Sequence, residues 1–90
     1  MQINWSAEAN EDLNEITDFI ADDSPVAAVN LSEHLFETAE KIGQMPYMGR
    51  KGRVAGTREF VAHPNYILVY QVKLDEIRIL RVLHGSRKYP

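Results

Sequence analysis

Towards its C-terminus the chain gathers residue types that phosphodiester chemistry needs: Arg58, Arg81, His84, Arg87, Lys88 and Tyr89. A histidine titrates near neutrality and can give a proton to a leaving oxygen or take one from a hydroxyl. Arginines are permanently charged planar donors that bind phosphate oxygens and oppose the charge developing on them. The same set, doing no chemistry, would make a cationic contact surface for a macromolecular partner. Each residue also has a structural use. Arg81 alternates with Ile79 and Leu83, so its stem can lie on a sheet while its head pairs with Glu59. A histidine at a strand end, such as His84, is more often hydrogen-bonded structure than catalyst. Tyr66 and Tyr70, two apart on one strand face, could stack on bases, though core or partner contact is the commoner use. Trp5 is expected in the core. His34, His63 and His84 do not fall at metal-ligand spacing and the chain has no cysteine, so neither a metal site nor a cofactor is expected.

The elements that must position these groups follow from periodicity. Gln2-Ile3-Asn4-Trp5 alternates polar and apolar residues, as a short strand with Ile3 and Trp5 on one face does. Ser6 is suited to cap a helix with Glu8 in its first turn. Ala9, Leu13, Ile16 and Ile20 then recur every three or four positions, Phe19 widening the stripe, until the helix ends near Asp22. Ser24-Pro25 begins a second helix, serine as N-cap and proline at the first position, where its missing N–H has no intrahelical partner. Ala28, Leu31, Leu35, Ala39 and Ile42 mark its buried face with Val29 and Phe36 beside it, and Gly43 is placed to end it. So short a connection makes the two helices an antiparallel hairpin.

Gln44 to Gly56 holds Pro46, Gly49, Gly52 and Gly56 together with Arg50, Lys51 and Arg53, the composition of an exposed basic loop. Strands are predicted over Thr57 to Ala62, Tyr66 to Val72 and Glu76 to His84, separated by turns at His63-Pro64-Asn65 and around Lys73-Leu74-Asp75. Their near-continuous apolar content implies that both sheet faces are largely covered. The last two runs pair as an antiparallel hairpin, and residues 85–90 leave the sheet. The order β-α-α-β-β-β predicts one α+β domain over residues 1–90, its antiparallel helical hairpin packed on one face of a small, mainly antiparallel sheet. The opposite face and its rim remain for a partner. In such a sheet the ends of the last two strands are expected to bring His84 and the tail near the basic loop.

Charge is distributed unevenly. The first forty residues carry ten carboxylates and no Lys or Arg, whereas the remaining fifty carry all ten Lys and Arg against Glu59, Asp75 and Glu76, so a net charge of −3 conceals a strong dipole. The basic half is a candidate for contacting an anion such as nucleic acid or an acidic protein, although charge runs also serve simply as solvated faces. With 90 residues, 44% hydrophobic and 26% charged, the composition is that of an ordinary small globular domain. No apolar run approaches the ~20 residues that span a bilayer, and no cleavable leader opens the chain. A soluble, cytoplasmic protein is expected, and the absence of cysteine excludes disulfides and thiolate nucleophiles.

The element order, with Val54-Ala55-Gly56-Thr57-Arg58-Glu59, Tyr66-Ile67-Leu68-Val69-Tyr70 and Ile77 to His84, resembles the RelE/ParE superfamily of toxins from type II toxin–antitoxin modules. Met45-Pro46-Tyr47-Met48-Gly49-Arg50 and Val82-Leu83-His84-Gly85-Ser86-Arg87 are the most similar parts. The resemblance implies a toxin neutralised by a cognate antitoxin, whose acidic or amphipathic segment would lie along the sheet and the helical hairpin, with DNA contacted only through the antitoxin. It implies one of two targets. RelE-like members cleave messenger RNA on the ribosome, for which Arg58, Arg81, His84, Arg87 and Tyr89 are the candidate catalytic residues. ParE-like members inhibit DNA gyrase by binding, for which Arg81, His84, Arg87, Lys88 and Tyr89 are the candidate contacts. RelE-like nucleases generally carry an arginine just before the Leu-Val-Tyr of the penultimate strand, where this chain has Ile67, and no Lys or Arg lies between Glu59 and Asn65. Both departures favour the ParE-like branch. A third possibility within the resemblance is a nontoxic relative that only binds an antitoxin.

Overall fold

The computed structural model describes residues 1–85 as β1 (Gln2–Trp5), α1 (Ala7–Asp23), α2 (Pro25–Gln44), β2 (Arg50–Lys51), β3 (Arg58–His63), β4 (Tyr66–Val72) and β5 (Glu76–His84). The strands make one sheet in the order β1-β5-β4-β3-β2. β1 runs parallel to β5, and every other pairing is antiparallel. The α+β architecture is the predicted one, with the helical hairpin on one face of the sheet.

Two serines set the helices. The Ser24 hydroxyl accepts from the Ala27 N–H at the start of α2 (3.2 Å), while the Ser24 N–H donates to the Ile20 carbonyl at the end of α1 (2.8 Å). One residue thus caps both helices, which is why the hairpin needs no longer loop. Ser6 caps α1 by accepting from the Ala9 N–H at 3.0 Å and ties the helix to the sheet, its N–H on the Ile79 carbonyl (2.9 Å) and its hydroxyl on the Leu80 carbonyl (2.9 Å).

The core lies between hairpin and sheet, where Leu35 and Ile42 of α2 meet Leu68, Tyr70, Ile77 and Ile79, all fully buried. Each aliphatic side chain there contributes roughly 1.5–3 kcal/mol relative to exposure. Ile67, Val69 and Leu83 alternate with the core residues of β4 and β5 and lie outside the cluster shared with the helices, yet all three are buried. The second sheet face is therefore not an open apolar platform.

The structure corrects several expectations. Phe19, Val29 and Phe36, assigned by periodicity to the edges of the buried stripes, are exposed, because the hairpin is covered by the sheet on one side only. Trp5 is half-buried at the margin of the core, its ring edge-on to Phe36 with centroids 5.1 Å apart. Gly43 does not end α2. The helix continues to Gln44 and Met45 caps it, while a Cβ at buried Gly43 would lie 2.8 Å from Ile3 Cδ1 and 3.0 Å from the Met1 carbonyl. Its glycine lets β1 approach the helix. β3 starts one residue later than predicted and includes His63, which still pairs with Tyr66 beyond an irregularity in the ladder.

Within the predicted basic loop, Arg50 and Lys51 form the edge strand β2, paired with Glu59 and Arg58. Their anchor is the buried Tyr70 hydroxyl, which donates to the Pro46 carbonyl (2.9 Å) and accepts from the Gly49 N–H (3.0 Å). Burial pushes the Tyr70 pKa up, partly offset by the Gly49 N–H and the charge of Arg58. A Cβ on Gly49 would lie 2.6 Å from that hydroxyl, so only glycine fits. Tyr70→Phe leaves both backbone groups without their partner and is expected to destabilise the protein by about 1–3 kcal/mol in chemical denaturation. An unchanged midpoint would show that the hydroxyl anchors nothing.

Candidate functional site

β1 covers β5 only from Glu76 to Ile79, so the edge of β5 beyond Ile79 lacks a strand partner. An irregularity in the β4–β5 ladder at this point leaves Leu80 unpaired between Ile79, opposite Tyr70, and Arg81, opposite Val69. Helix α1 closes the gap. Asp12 accepts from Arg81 Nε (2.7 Å) and Nη2 (2.9 Å), and its Oδ2 also accepts from the Val82 N–H (3.0 Å). This two-point carboxylate–guanidinium pair is the strong geometry for an arginine. Asp12 is only 8% exposed, so the contact is made largely out of water.

Arg81 therefore does not pair with Glu59, as its alternation with Ile79 and Leu83 suggested. Arg81 and Glu59 both lie opposite Val69, with β4 between them. That separates their backbones by two strand spacings, roughly 10 Å. Glu59 is instead held by the other edge of the sheet. It accepts from the Arg53 N–H at 3.0 Å and pairs with the guanidinium groups of Arg53 (3.2 Å) and Arg50 (3.4 Å). Burial alone would raise the pKa of this carboxyl, but the Arg53 N–H, the Arg53 guanidinium and Arg50 more than offset it and hold it below the ordinary value of 4.5. Arg58 donates to the Gly49 carbonyl at 2.7 Å and lies over the Tyr47 ring, 4.8 Å from its centroid.

His84 ends β5 opposite Tyr66, with ring centroids 5.6 Å apart and nearly perpendicular. Tyr66 in turn meets His63 at 5.6 Å, and His63 meets His34 at 6.2 Å, so a row of rings crosses this end of the sheet. His34 Nε2 contacts the Ala62 carbonyl and, since that oxygen only accepts, carries the proton. His63 Nδ1 accepts from the Asn65 N–H at 3.1 Å. The cleft at His84 is lined by Asp12, Glu15, Ile16, Phe19 and Tyr66, so its charged lining is acidic.

His84 is thus not near the basic loop. His84 pairs at Tyr66, whereas Arg58 pairs at Tyr70 and the loop strand lies beyond it. Four residues along β4 place these ends roughly 13 Å apart, with two further strand spacings across the sheet. The antiparallel turn at Lys73 to Asp75 sends β5 back past the basic end, which sequence order alone did not reveal. Arg58 is set apart from His84 along β4, Asp12 lies between Arg81 and the cleft at His84, and Arg87, Lys88 and Tyr89 lie outside the described residues.

Sequence reasoning missed Asp12 as an anchor and gave Glu59 the wrong arginine. The signal for Asp12 was present, because it falls with Ala9, Leu13 and Ile16 on one helical stripe, where a carboxylate must have a partner. Lys51, also passed over, lines a cleft with Tyr47, Thr57 and Arg58 and makes no ion pair among the described residues.

Two consequences are measurable. Asp12→Ala removes the acceptor of the Val82 N–H and the carboxylate that holds Arg81 and is expected to cost about 2–4 kcal/mol. Arg81→Met, which leaves the Asp12 carboxylate uncompensated in its nearly dry site, is expected to cost a comparable amount. An Arg81→Met variant as stable as the parent in urea titrations would show that the guanidinium does not compensate the buried carboxylate. Because the folded pKa of Glu59 lies below its unfolded value, its contribution is complete above pH 4.5 and is lost as pH falls through the lowered value. Glu59→Gln is expected to be less stable than the parent at pH 7 and to lose less on acidification to pH 3. Parallel pH profiles would remove Glu59 as a source of acid sensitivity.

Comparison with known proteins agrees with this geometry. The sequence pattern of the ParE toxin of type II toxin–antitoxin system, parDE, matches residues 3–89. The chain is 33% identical over 90 residues to a putative toxin Y4kP of Sinorhizobium fredii, covering 99% of this chain and 93% of that one. It is 34% identical over 86 residues to toxin RelE2 of Caulobacter vibrioides, covering 96% and 97%. Its fold matches a chain of the chromosomal ParDE TA system from P. aeruginosa with a TM-score of 0.83 at 26% identity, over 93% of this chain and 95% of that one. A copper-bound mutant toxin from Helicobacter pylori shares the fold with a TM-score of 0.71 at 24% identity, over 99% of both chains. The chain belongs to the ParE toxin family within the RelE/ParE superfamily, and is the toxin of a type II toxin–antitoxin module with an antitoxin as its partner.

Proposed function

We propose that this toxin inhibits DNA gyrase by binding it and cleaves no substrate of its own. The observation that carries this reading is the engagement of Arg81 by Asp12 through both Nε and Nη2. Cleavage of RNA through its 2′-hydroxyl needs a proton acceptor, a proton donor and cations around one phosphate, all within hydrogen-bond reach. Here Arg81 is clamped by a carboxylate, Arg58 is engaged at the far end of the sheet, and the cleft at His84 is lined by Glu15 and by Asp12, which Arg81 already holds. Ile67, at the position where RelE-like nucleases carry arginine, is 6% exposed and could not present a charge without unpacking the sheet. A binding function needs only a surface, for which Arg87, Lys88 and Tyr89, outside the described residues, are the proposed contacts. No described helix is long and apolar enough to cross a membrane, and a gyrase inhibitor acts in the cytoplasm. The toxin itself is proposed to reach DNA only through its antitoxin.

Pulse incorporation of labelled thymidine and labelled methionine, minutes after induction without antitoxin, tests the target. DNA synthesis is expected to stop first, and His84→Gln is expected to remain inhibitory. Earlier arrest of protein synthesis, with a loss of about 10²- to 10⁴-fold in messenger cleavage for His84→Gln, would overturn the proposal in favour of a ribosome-dependent nuclease. Growth unaffected by soluble, folded protein would leave a nontoxic antitoxin-binding relative.

A further inference from the structure

The two residues of the edge strand β2 meet opposite kinds of partner on β3. Arg50 lies across from Glu59 and pairs with it at 3.4 Å. Lys51 lies across from Arg58, so two cations face each other directly on an antiparallel ladder, an arrangement that costs stability. Successive strand residues turn to opposite faces, which puts the Glu59 carboxylate on the other side of β3 from this pair. Among the described residues no carboxylate pairs with Lys51 or Arg58. The fold keeps a like-charge pair and supplies no counterion from these residues.

The pair stands in a cleft of about 400 Å³, within the range of small-molecule sites. Arg58 is fixed there. It donates from Nη1 to the Gly49 carbonyl at 2.7 Å, and its guanidinium lies 4.8 Å from the centre of the Tyr47 ring, which leaves most of its N–H donors for an anion. Tyr47 itself is 69% exposed, and half-buried Val54 and Val72 line the same cleft. The loop between Gly52 and Thr57 is closed at its neck by the Gly52 N–H on the Thr57 carbonyl (2.8 Å) and the Thr57 N–H on the Val54 carbonyl (3.2 Å). Gly56 within it has φ +80°, and a Cβ there would meet nothing within 4 Å, so the backbone is open to an incoming group.

We infer that this cleft binds a nucleoside phosphate, its phosphate between Lys51 and Arg58 and its base against Tyr47, Val54 and Val72. Phosphate supplies the opposing charge and accepts hydrogen bonds from guanidinium and ammonium alike. A bare oxyanion would leave the aromatic and aliphatic wall unused, whereas a base has a π-face to lay on it. A nucleic-acid strand is bound by cations along successive phosphates, and the neighbouring Arg50 and Arg53 are already held by Glu59. No histidine lines the cleft, and the ligand is bound without being cleaved. The site shares no residue with the proposed gyrase contacts, so the inference does not depend on the toxin's target.

Calorimetric titration of the full chain with ADP, adenosine and inorganic phosphate, with amide NMR shifts to locate the binding, tests it. ADP is expected to bind more tightly than either adenosine or inorganic phosphate, with shifts centred on residues 47–58. Lys51 and Tyr47 are exposed, so Lys51→Ala and Tyr47→Leu are expected to fold. Lys51→Ala relieves the repulsion and is expected to be at least as stable as the parent in low salt. It is nevertheless expected to bind ADP at least about tenfold more weakly, the loss of one charge-assisted hydrogen bond. Tyr47→Leu is expected to weaken the binding of ADP and not that of inorganic phosphate. No binding of ADP at millimolar concentration, or unchanged binding by Lys51→Ala, would overturn the inference. Inorganic phosphate bound as tightly as ADP would make this a simple oxyanion site and overturn the nucleotide assignment. A single-stranded oligonucleotide bound more tightly than ADP, with shifts spreading beyond the loop, would give the cleft to nucleic acid and also overturn it.

Discussion

The structure depends on closing an incomplete sheet edge. β1 is four residues long and covers less than half of β5, which continues for five residues past their last pair. A backbone N–H left unpaired there would carry a desolvation penalty of about 1–3 kcal/mol. The fold meets this with a side chain in place of a strand. Asp12 reaches from the second turn of α1 to the Val82 N–H, and Arg81 neutralises the carboxylate that would otherwise be stranded in a nearly dry site. Ser6 completes the junction by binding the carbonyls of Ile79 and Leu80. The start of α1 is thereby fixed to β5, and since Ser24 leaves no slack between the helices, the placement of α1 carries α2 with it.

The same arrangement governs the chain's charge. The sequence divides into an acidic and a basic half, but much of the basic half does not face solvent as free charge. Arg50 and Arg53 hold Glu59, Arg78 pairs with Glu76, and Arg81 holds Asp12. The acidic half, by contrast, keeps most of its carboxylates exposed on the two helices. The surface field of the described residues is therefore set more by the unpaired acids of the hairpin than by the arginines of the sheet. For a toxin that must bind an antitoxin, such fixed fields steer encounter and reject like-charged competitors.

Topology also decides what the reactive side chains of the C-terminal half can do together. Groups separated by a few residues in sequence can be far apart on a sheet, because each hairpin reverses direction and each strand moves sideways by about 5 Å. Arg58 and His84 lie at opposite ends of β4 for this reason. Membership of the ParE toxin family is shown, and fold alone does not tell the two toxin chemistries apart.

The order of elements, the antiparallel helical hairpin, the bounds of β4 and β5 and the family resemblance were legible in the sequence, because they rest on local signals. Ser6 and Ser24-Pro25 are caps, Leu31, Leu35 and Ile42 mark a helical face, and the apolar runs from Tyr66 and Glu76 are long enough to be strands. Only the tertiary structure decided that Phe19, Val29 and Phe36 remain outside, that Gly43 admits β1 instead of ending a helix, that Arg50 and Lys51 form an edge strand, and that Arg81 belongs to Asp12 and not Glu59. These outcomes depend on which elements become neighbours. Periodicity specifies a face but not what covers it, and a charge pattern names possible partners but not the distances between them.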